Sequence, residues 1–91
     1  MEKNIFTFAN MNILQRILEE YEDEEILTAD GFDEAVIGID YSSKRLIYSI
    51  RVCLEILSKD MSASDAHEYF FYNVAGAYVG EKTPIWCEDF E

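Results

Sequence analysis

The segment at residues 73–86, NVAGAYVGEKTPIW, contains residue types that occur in phosphate-binding loops. A P-loop places G-x-x-x-x-G-K-[ST] between a strand and a helix, so that backbone amides and a lysine surround the phosphates. Here Gly80 is followed by Glu81, Ala75 stands where the first glycine belongs, and a predicted helix precedes the segment. The pattern therefore argues against nucleotide binding. We expect Gly80 to end a helix in a left-handed conformation, with Pro84 as a following stop signal.

The other side chains with catalytic potential stand alone. His67 is the only histidine, whereas a general base or a metal centre needs partner groups held in one site. Cys53 and Cys87 form no C-x-x-C pair, which predicts two free thiols in a reducing compartment. Acidic neighbours make Cys87 a poor nucleophile. The sequence therefore predicts a protein that is not an enzyme, with no catalytic residue, no metal site and no cofactor.

Asn73 lies in an almost wholly apolar stretch. Burial of an amide costs free energy unless it is hydrogen-bonded, so we expect Asn73 to satisfy backbone groups of the terminal strand. The alternative is a small-ligand pocket built around Asn73, Tyr69, Tyr72 and His67.

Charge is the most unusual property of the chain. Its 91 residues include 19 acidic and 7 basic side chains, which gives a formal net charge of −12. The electrostatic field of this net charge repels nucleic acid and anionic membranes, and it speeds encounters with basic partners. Solubility is the other explanation, because an acidic surface prevents precipitation without any partner.

Nine of the 19 acids lie between residues 19 and 34. The run EEYEDEE at 19–25 carries charges ~1.5 Å apart along a helix axis, or ~3.3 Å apart if extended. Duplex DNA carries one charge per ~1.7 Å of axis, or ~3.4 Å per strand, so both conformations are compatible with mimicry. The run does not match an EF-hand loop, which leaves only nonspecific binding of divalent cations open. The predicted partner-binding residues are Glu19, Glu20, Glu22, Asp23, Glu24, Glu25, Asp30, Asp33 and Glu34.

An amphipathic helix enters the acidic run, and a turn follows it. Asn10 is the expected N-cap of this helix. Its apolar residues recur at the spacing of one helical face: Ile13, Leu14, Ile17, Leu18 and Tyr21. TADGF at 28–32 then predicts a turn in which Gly31 supplies a positive φ.

The middle of the chain predicts a β-hairpin at about 34–50. EAVIGID (34–40) and RLIYSI (45–50) flank the polar YSSK, and Gly38 indicates a bulge or a close approach by another element. Leu46, Tyr48 and Ile50 are expected to share one face of the second strand.

Two helices and a strand complete the predicted fold. Apolar spacing over 52–57 indicates a short helix, and Ser62 with Asp65 forms a capping-box pattern for a third helix at about 63–79. That helix is apolar almost all round, which predicts a central, buried position. TPIW then returns as a short edge strand. The predicted fold is a single α+β domain at 1–91, in the order α-β-β-α-α-β.

We expect no membrane-directed segment. The N-terminal residues MEKNIFTFAN lack the apolar run of a signal peptide, and no stretch approaches the ~20 apolar residues of a membrane span. With its free thiols, the protein is expected to be cytoplasmic.

Two segments together resemble a set of small, acidic, mostly uncharacterised bacteriophage proteins. GFDEAVIGI (31–39) matches their Gly-Phe-x-Asp/Glu-Ala-Val-Ile-Gly segment, and residues 73–86 match a terminal Asn-Val-x-Gly-Ala-Tyr-Val-Gly-x-x-Thr-Pro segment. The resemblance covers about residues 28–87 and carries no catalytic residue. It implies a phage source and, by analogy, an anti-defence role in the host cytoplasm.

The sequence therefore leaves three candidate functions open. The first is a non-enzymatic phage protein that inhibits a host CRISPR or restriction complex by occupying its basic nucleic-acid-binding surface, without contacting nucleic acid itself. The second is a homo-oligomeric accessory protein, in which the aromatic helix and the Trp86 strand form a self-interface. The third is a small-ligand-sequestering protein.

Overall fold

A three-stranded mixed sheet organises the fold. The computed structural model of the chain describes residues 12–90. Strands β1 (Val36–Ile39) and β2 (Leu46–Ser49) form an antiparallel hairpin, and β3 (Ile85–Cys87) pairs parallel to β2. The strand order β1-β2-β3 places the C-terminal strand at an edge, as predicted.

Three α-helices lie within the described residues and complete the order α-β-β-α-α-β. Helix α1 (Ile13–Glu20) precedes the hairpin, and α2 (Ile50–Leu57) follows directly from β2. Helix α3 (Ala63–Tyr69) continues into a π-helical segment (Phe70–Val74). The predicted α+β class and element order are confirmed.

Helix α1 begins with a capping box. The Asn12 side chain accepts a hydrogen bond from the Gln15 amide at 2.8 Å, and the Gln15 side chain accepts one from the Asn12 amide at 3.2 Å. This exchange satisfies two amides that lack intrahelical partners. The predicted N-cap, Asn10, lies outside the described residues. The cap position was wrong, because the capping box belongs to Asn12.

The hairpin contains the bulge that Gly38 predicted. The register of β1 against β2 shifts between Val36 and Gly38. The Gly38 Cβ position has no neighbouring atom within 4 Å among the described residues, so the other predicted explanation, a close approach by another element, is wrong. The first strand begins later than predicted, because a 3-10 turn (Asp33–Ala35) occupies its expected start.

Aromatic side chains join the sheet to the third helix. Leu46 and Tyr48 are both buried on the same face of β2, as predicted, whereas Ile50 begins α2. The Trp86 ring lies 5.1 Å from the Tyr48 ring and 5.4 Å from the Phe70 ring, centroid to centroid. Such aromatic pairs stabilise a fold by ~0.5–1.5 kcal/mol beyond the area that they bury.

The third helix is shorter and more exposed than predicted. Ser62 caps it as expected, by accepting a hydrogen bond from the Asp65 amide at 3.1 Å. The helical segment ends at Val74, where the Ala75 amide donates to the Phe70 carbonyl at 2.8 Å in π geometry. Several of its aromatic side chains are substantially exposed, namely Tyr69 (45%), Phe71 (40%) and Tyr72 (78%). The prediction of a central, buried helix over 63–79 was wrong, because the core covers only one side of it.

Candidate functional site

The GEKT segment is a turn tied to the hairpin loop. Gly80 has the predicted positive φ (115°), but the helix ends before it, so the prediction that Gly80 stops a helix was wrong. The Thr83 hydroxyl donates to the Gly80 carbonyl at 2.6 Å. The Lys82 ammonium donates to the Ser43 carbonyl at 2.9 Å, and the Arg45 Nε donates to the Thr83 carbonyl at 2.5 Å. These contacts give the segment a structural role.

The other candidate catalytic groups do not form a site. His67 is exposed, and its ring lies 4.6 Å from the Phe71 ring. Both thiols are free, and burial raises the pKa of Cys53 to about 12. Across residues 12–90, no three His, Cys, Asp or Glu side chains are grouped so that they could hold a metal ion.

The acidic segment, residues 19–34, leaves the helix almost at once. Glu19 and Glu20 end α1, and the chain then continues through a turn into irregular structure. The 3-10 turn at the far end of the segment packs against α1, so both ends of the segment lie beside the same helix. The segment is thus a closed loop. All nine predicted carboxylates are exposed on it: Glu19, Glu20, Glu22, Asp23, Glu24, Glu25, Asp30, Asp33 and Glu34.

Apolar residues between the acids hold this loop on the core. Phe32 is buried, and Tyr21, Ile26 and Ala29 are partly buried against the core cluster. Gly31 adopts φ 91°, which confirms the predicted turn. Because anchors alternate with acidic stretches in the sequence, the loop keeps its backbone against the protein and its carboxylates in solvent.

The electrostatic surroundings leave the acidic segment largely uncompensated. Residues 19–34 include no lysine or arginine. Arg51 forms ion pairs on another part of the chain, at 3.6 Å from Glu55 and 3.1 Å from Asp89. Within residues 12–90, two cations border the segment: Arg16 lines a hollow together with Glu20 and Tyr21, and the Lys44 ammonium lies 5.5 Å from the centre of the Tyr21 ring. The nine carboxylates therefore outnumber the cations beside them.

The negative charges of the acidic segment affect the pKa of Tyr48 in the core. Burial raises the pKa of the Tyr48 hydroxyl, although a hydrogen bond from the Ala29 amide opposes this effect. The charges of Asp33 and Asp30 raise this pKa further.

An apolar groove of about 370 Å³ adjoins the acidic segment. Its apolar lining includes Leu27, Phe32, Val74, Val79 and Trp86. Its size falls within the range of small binding pockets.

Asn73 also lines this groove and is exposed. No hydrogen bond from its side chain to β3 is found among the described residues. The predicted buried structural role of Asn73 was therefore wrong.

A second, more open hollow of about 470 Å³ meets this groove at Tyr69 and Asn73. Its lining includes two carboxylates, Asp65 and Glu68. Three of the four residues predicted for the alternative ligand pocket, Asn73, Tyr69 and Tyr72, line this hollow together, whereas His67 does not. The tyrosines were also a sequence signal for exposure, because a tyrosine hydroxyl can hydrogen-bond to water, whereas a leucine or isoleucine side chain cannot.

These features define a small acidic α+β domain that carries an exposed acidic loop beside an apolar groove. No protein-family model, curated protein or solved structure matches the chain. Within residues 12–90, none of the helices has the length and apolarity to cross a membrane.

Proposed function

We propose that the protein binds a basic surface of a nucleic-acid-binding protein through its acidic segment. The observation that supports this most directly is the exposure of all nine carboxylates on one closed loop that has no basic residue in its sequence. The carboxylates take the place of phosphates opposite lysine and arginine side chains. The protein then inhibits its partner by competition and needs no catalytic group.

The loop conformation follows neither the helical nor the fully extended charge spacing. The chain leaves α1 after Glu20, and the Glu24 amide donates to the Tyr21 carbonyl at 2.9 Å in a turn. The proposed mimicry therefore rests on the clustering of the charges and not on a match to the phosphate spacing of DNA. Binding through clustered charges weakens as salt rises.

The resemblance to small acidic bacteriophage proteins supplies the class of target. We propose that the partner is a host defence complex of the CRISPR or restriction type, which the protein inhibits in the host cytoplasm. Such complexes hold nucleic acid on basic surfaces, and these are the surfaces that the acidic segment fits.

Charge reversal within the acidic segment tests the proposal. Replacing Glu22, Asp23, Glu24 and Glu25 with Lys is expected to abolish capture of a partner from host lysate at low salt. Nucleic acid added in excess is expected to displace the wild-type protein from the captured partner.

A matched control changes the same amount of charge elsewhere. Glu55, Asp60, Glu81 and Glu88 are also exposed, and their replacement with Lys gives the same net charge. This variant is expected to retain capture. Equal loss of capture in both variants would show that only net charge matters, and unchanged capture in the first variant would refute the proposal.

A self-interface is the second candidate function, and the exposed apolar side chains favour it. Tyr72, Tyr78 and Val79 are 78%, 77% and 60% exposed. Exposed apolar patches often mark interaction surfaces. Light scattering over a range of protein concentrations distinguishes a monomer from a homo-oligomer.

A further inference from the structure

The groove beside the acidic segment is apolar within and acidic at its borders. Leu27 to Asp30 form part of its lining, and one residue, Ile26, separates them from the four acids at 22–25. Asp30 is the one charged side chain among the residues that line it. The carboxylates of Asp65 and Glu68 lie in the adjoining hollow.

Charge complementarity therefore specifies the occupant of the groove. No lysine or arginine lines either hollow among the described residues. An apolar side chain fits the groove, and cationic neighbours of that side chain fit its acidic borders. A segment of a basic protein offers both features in consecutive residues.

We infer that the groove receives an apolar side chain from a lysine- or arginine-rich segment of the partner. The inference rests on the proposed function and deepens it. Exposed charges mainly set the rate and specificity of association, whereas buried apolar anchors supply most of the affinity of a protein interface. The acidic segment thus sets the rate and specificity of association with the basic segment, and the groove supplies most of the affinity.

The backbone around the groove supports a binding role. Asn73 and Val74, which line it, belong to the π-helical segment Phe70–Val74. Short π-helical insertions occur frequently at functional sites. The π turn leaves the exposed carboxamide of Asn73 beside the groove, where it can bond to the backbone of a bound segment.

Trp86 provides an internal probe for the test. It is the only tryptophan of the chain, and its ring lines the groove. Three labelled peptides without tryptophan are compared: a lysine-rich peptide with one central leucine, the same peptide with serine at that position, and the leucine peptide with its lysines replaced by serine. Binding is followed by fluorescence anisotropy of the label and by Trp86 emission.

The lysine peptide with leucine is expected to bind at least tenfold more tightly than the lysine peptide with serine. Burial of a leucine side chain is large enough to give this ratio. Only the leucine-containing lysine peptide is expected to shift the Trp86 emission.

Groove variants show where the leucine binds. Val79→Ser removes an exposed apolar side chain of the groove, and Ala77→Phe fills the groove from an exposed position. Both are expected to abolish the advantage of leucine over serine. The matched control is Tyr78→Ser, which removes a neighbouring exposed side chain outside the groove lining and is expected to preserve that advantage.

Each unexpected binding result has a different consequence for the groove inference and the proposed function. If both lysine peptides bind equally and Trp86 emission does not change, the groove inference is wrong while the proposed function stands. If the uncharged leucine peptide binds as well as the lysine peptide, the occupant is not a basic segment and the inference is overturned. If no lysine peptide binds at low salt, the proposed function and the inference both fall.

Discussion

The amide of Ala29 donates a hydrogen bond of 2.7 Å to the hydroxyl of Tyr48. Tyr48 lies on β2 and is fully buried, whereas Ala29 belongs to the acidic segment. The Tyr48 ring also contacts Trp86, which lines the apolar groove. One buried side chain thus supports both surfaces to which we assign binding.

Tyr48→Phe is expected to lower the free energy of unfolding by about 1–2 kcal/mol, because it leaves the partly buried Ala29 amide without its acceptor. The Ala29 amide should also exchange faster with solvent in native-state hydrogen exchange. Urea denaturation measures the stability change. The control is Tyr41→Phe, which alters a hydroxyl on a residue that is 80% exposed and should change stability by less than about 0.5 kcal/mol. Equal effects of the two variants would contradict this role of Tyr48.

Local sequence signals predicted the turn but not its attachment to the sheet. Gly31 in TADGF indicated a residue with positive φ, and the structure has one there. The contact between Ala29 and Tyr48 joins residues 19 positions apart, and no local pattern specifies such a pairing. The same limit applies to the carboxylates, whose exposure follows from composition but whose closure into one loop depends on packing between α1 and the 3-10 turn.

Two other errors have identifiable physical causes. The spacing Asn12-x-x-Gln15 was a readable capping-box signal, whereas Asn10 has Ile13 at the corresponding position. The third helix was placed in the centre because its sequence is apolar on all sides. Apolarity predicts burial only where neighbouring elements are present to cover each side, and periodicity carries no information about those neighbours.

Asp89 is expected to make stability depend on pH in the acid range. Ser49 donates a hydrogen bond to its carboxylate at 2.6 Å, and Arg51 donates another at 3.1 Å. The bond from Ser49, with help from Arg51, holds the pKa of Asp89 below its usual value, although partial burial opposes them. Because the folded-state pKa is depressed, this stabilisation is present above the unfolded pKa of ~3.9 and is lost as pH falls through the folded pKa.

The variant Asp89→Asn tests this dependence. We expect the loss of stability on substitution to be largest near neutral pH and to shrink below about pH 4, as urea denaturation at a series of pH values can show. Glu88→Gln changes the exposed neighbouring carboxylate and serves as the control. A stability difference for Asp89→Asn that stays constant down to about pH 2 would rule out this linkage.

Two glycines should respond in opposite ways to alanine. Gly31 has φ 91°, a conformation that costs L-residues ~1–2 kcal/mol, so Gly31→Ala is expected to destabilise by about that amount although space is available. Gly38 has no positive φ and no atom within 4 Å of its Cβ position among the described residues. Gly38→Ala should therefore be neutral or stabilise by up to ~1 kcal/mol, since it restricts the unfolded chain. Destabilisation of similar size in both variants would contradict the conformational explanation.

The two thiols should differ in reactivity with an alkylating reagent. Cys53 is fully buried and its pKa is raised to about 12, so the native protein holds almost no thiolate at this position near neutral pH. Cys87 is only partly buried on the edge strand β3. Mass spectrometry is expected to show that Cys87 is modified first and that Cys53 reacts only after denaturant is added.

The variant Cys87→Ser isolates the slow thiol. Its native form is expected to resist alkylation, and its modification rate should then report opening of the core, because the reagent reaches Cys53 only when the surrounding helices and sheet separate. If that opening is global unfolding, adding Tyr48→Phe lowers its free energy by about 1–2 kcal/mol. The modification of Cys53 should then be roughly 5- to 30-fold faster. Adding Tyr41→Phe should leave the rate unchanged. Rapid modification of Cys53 in native Cys87→Ser protein would show that the core near α2 opens locally, without the global unfolding that the Tyr48 contact resists.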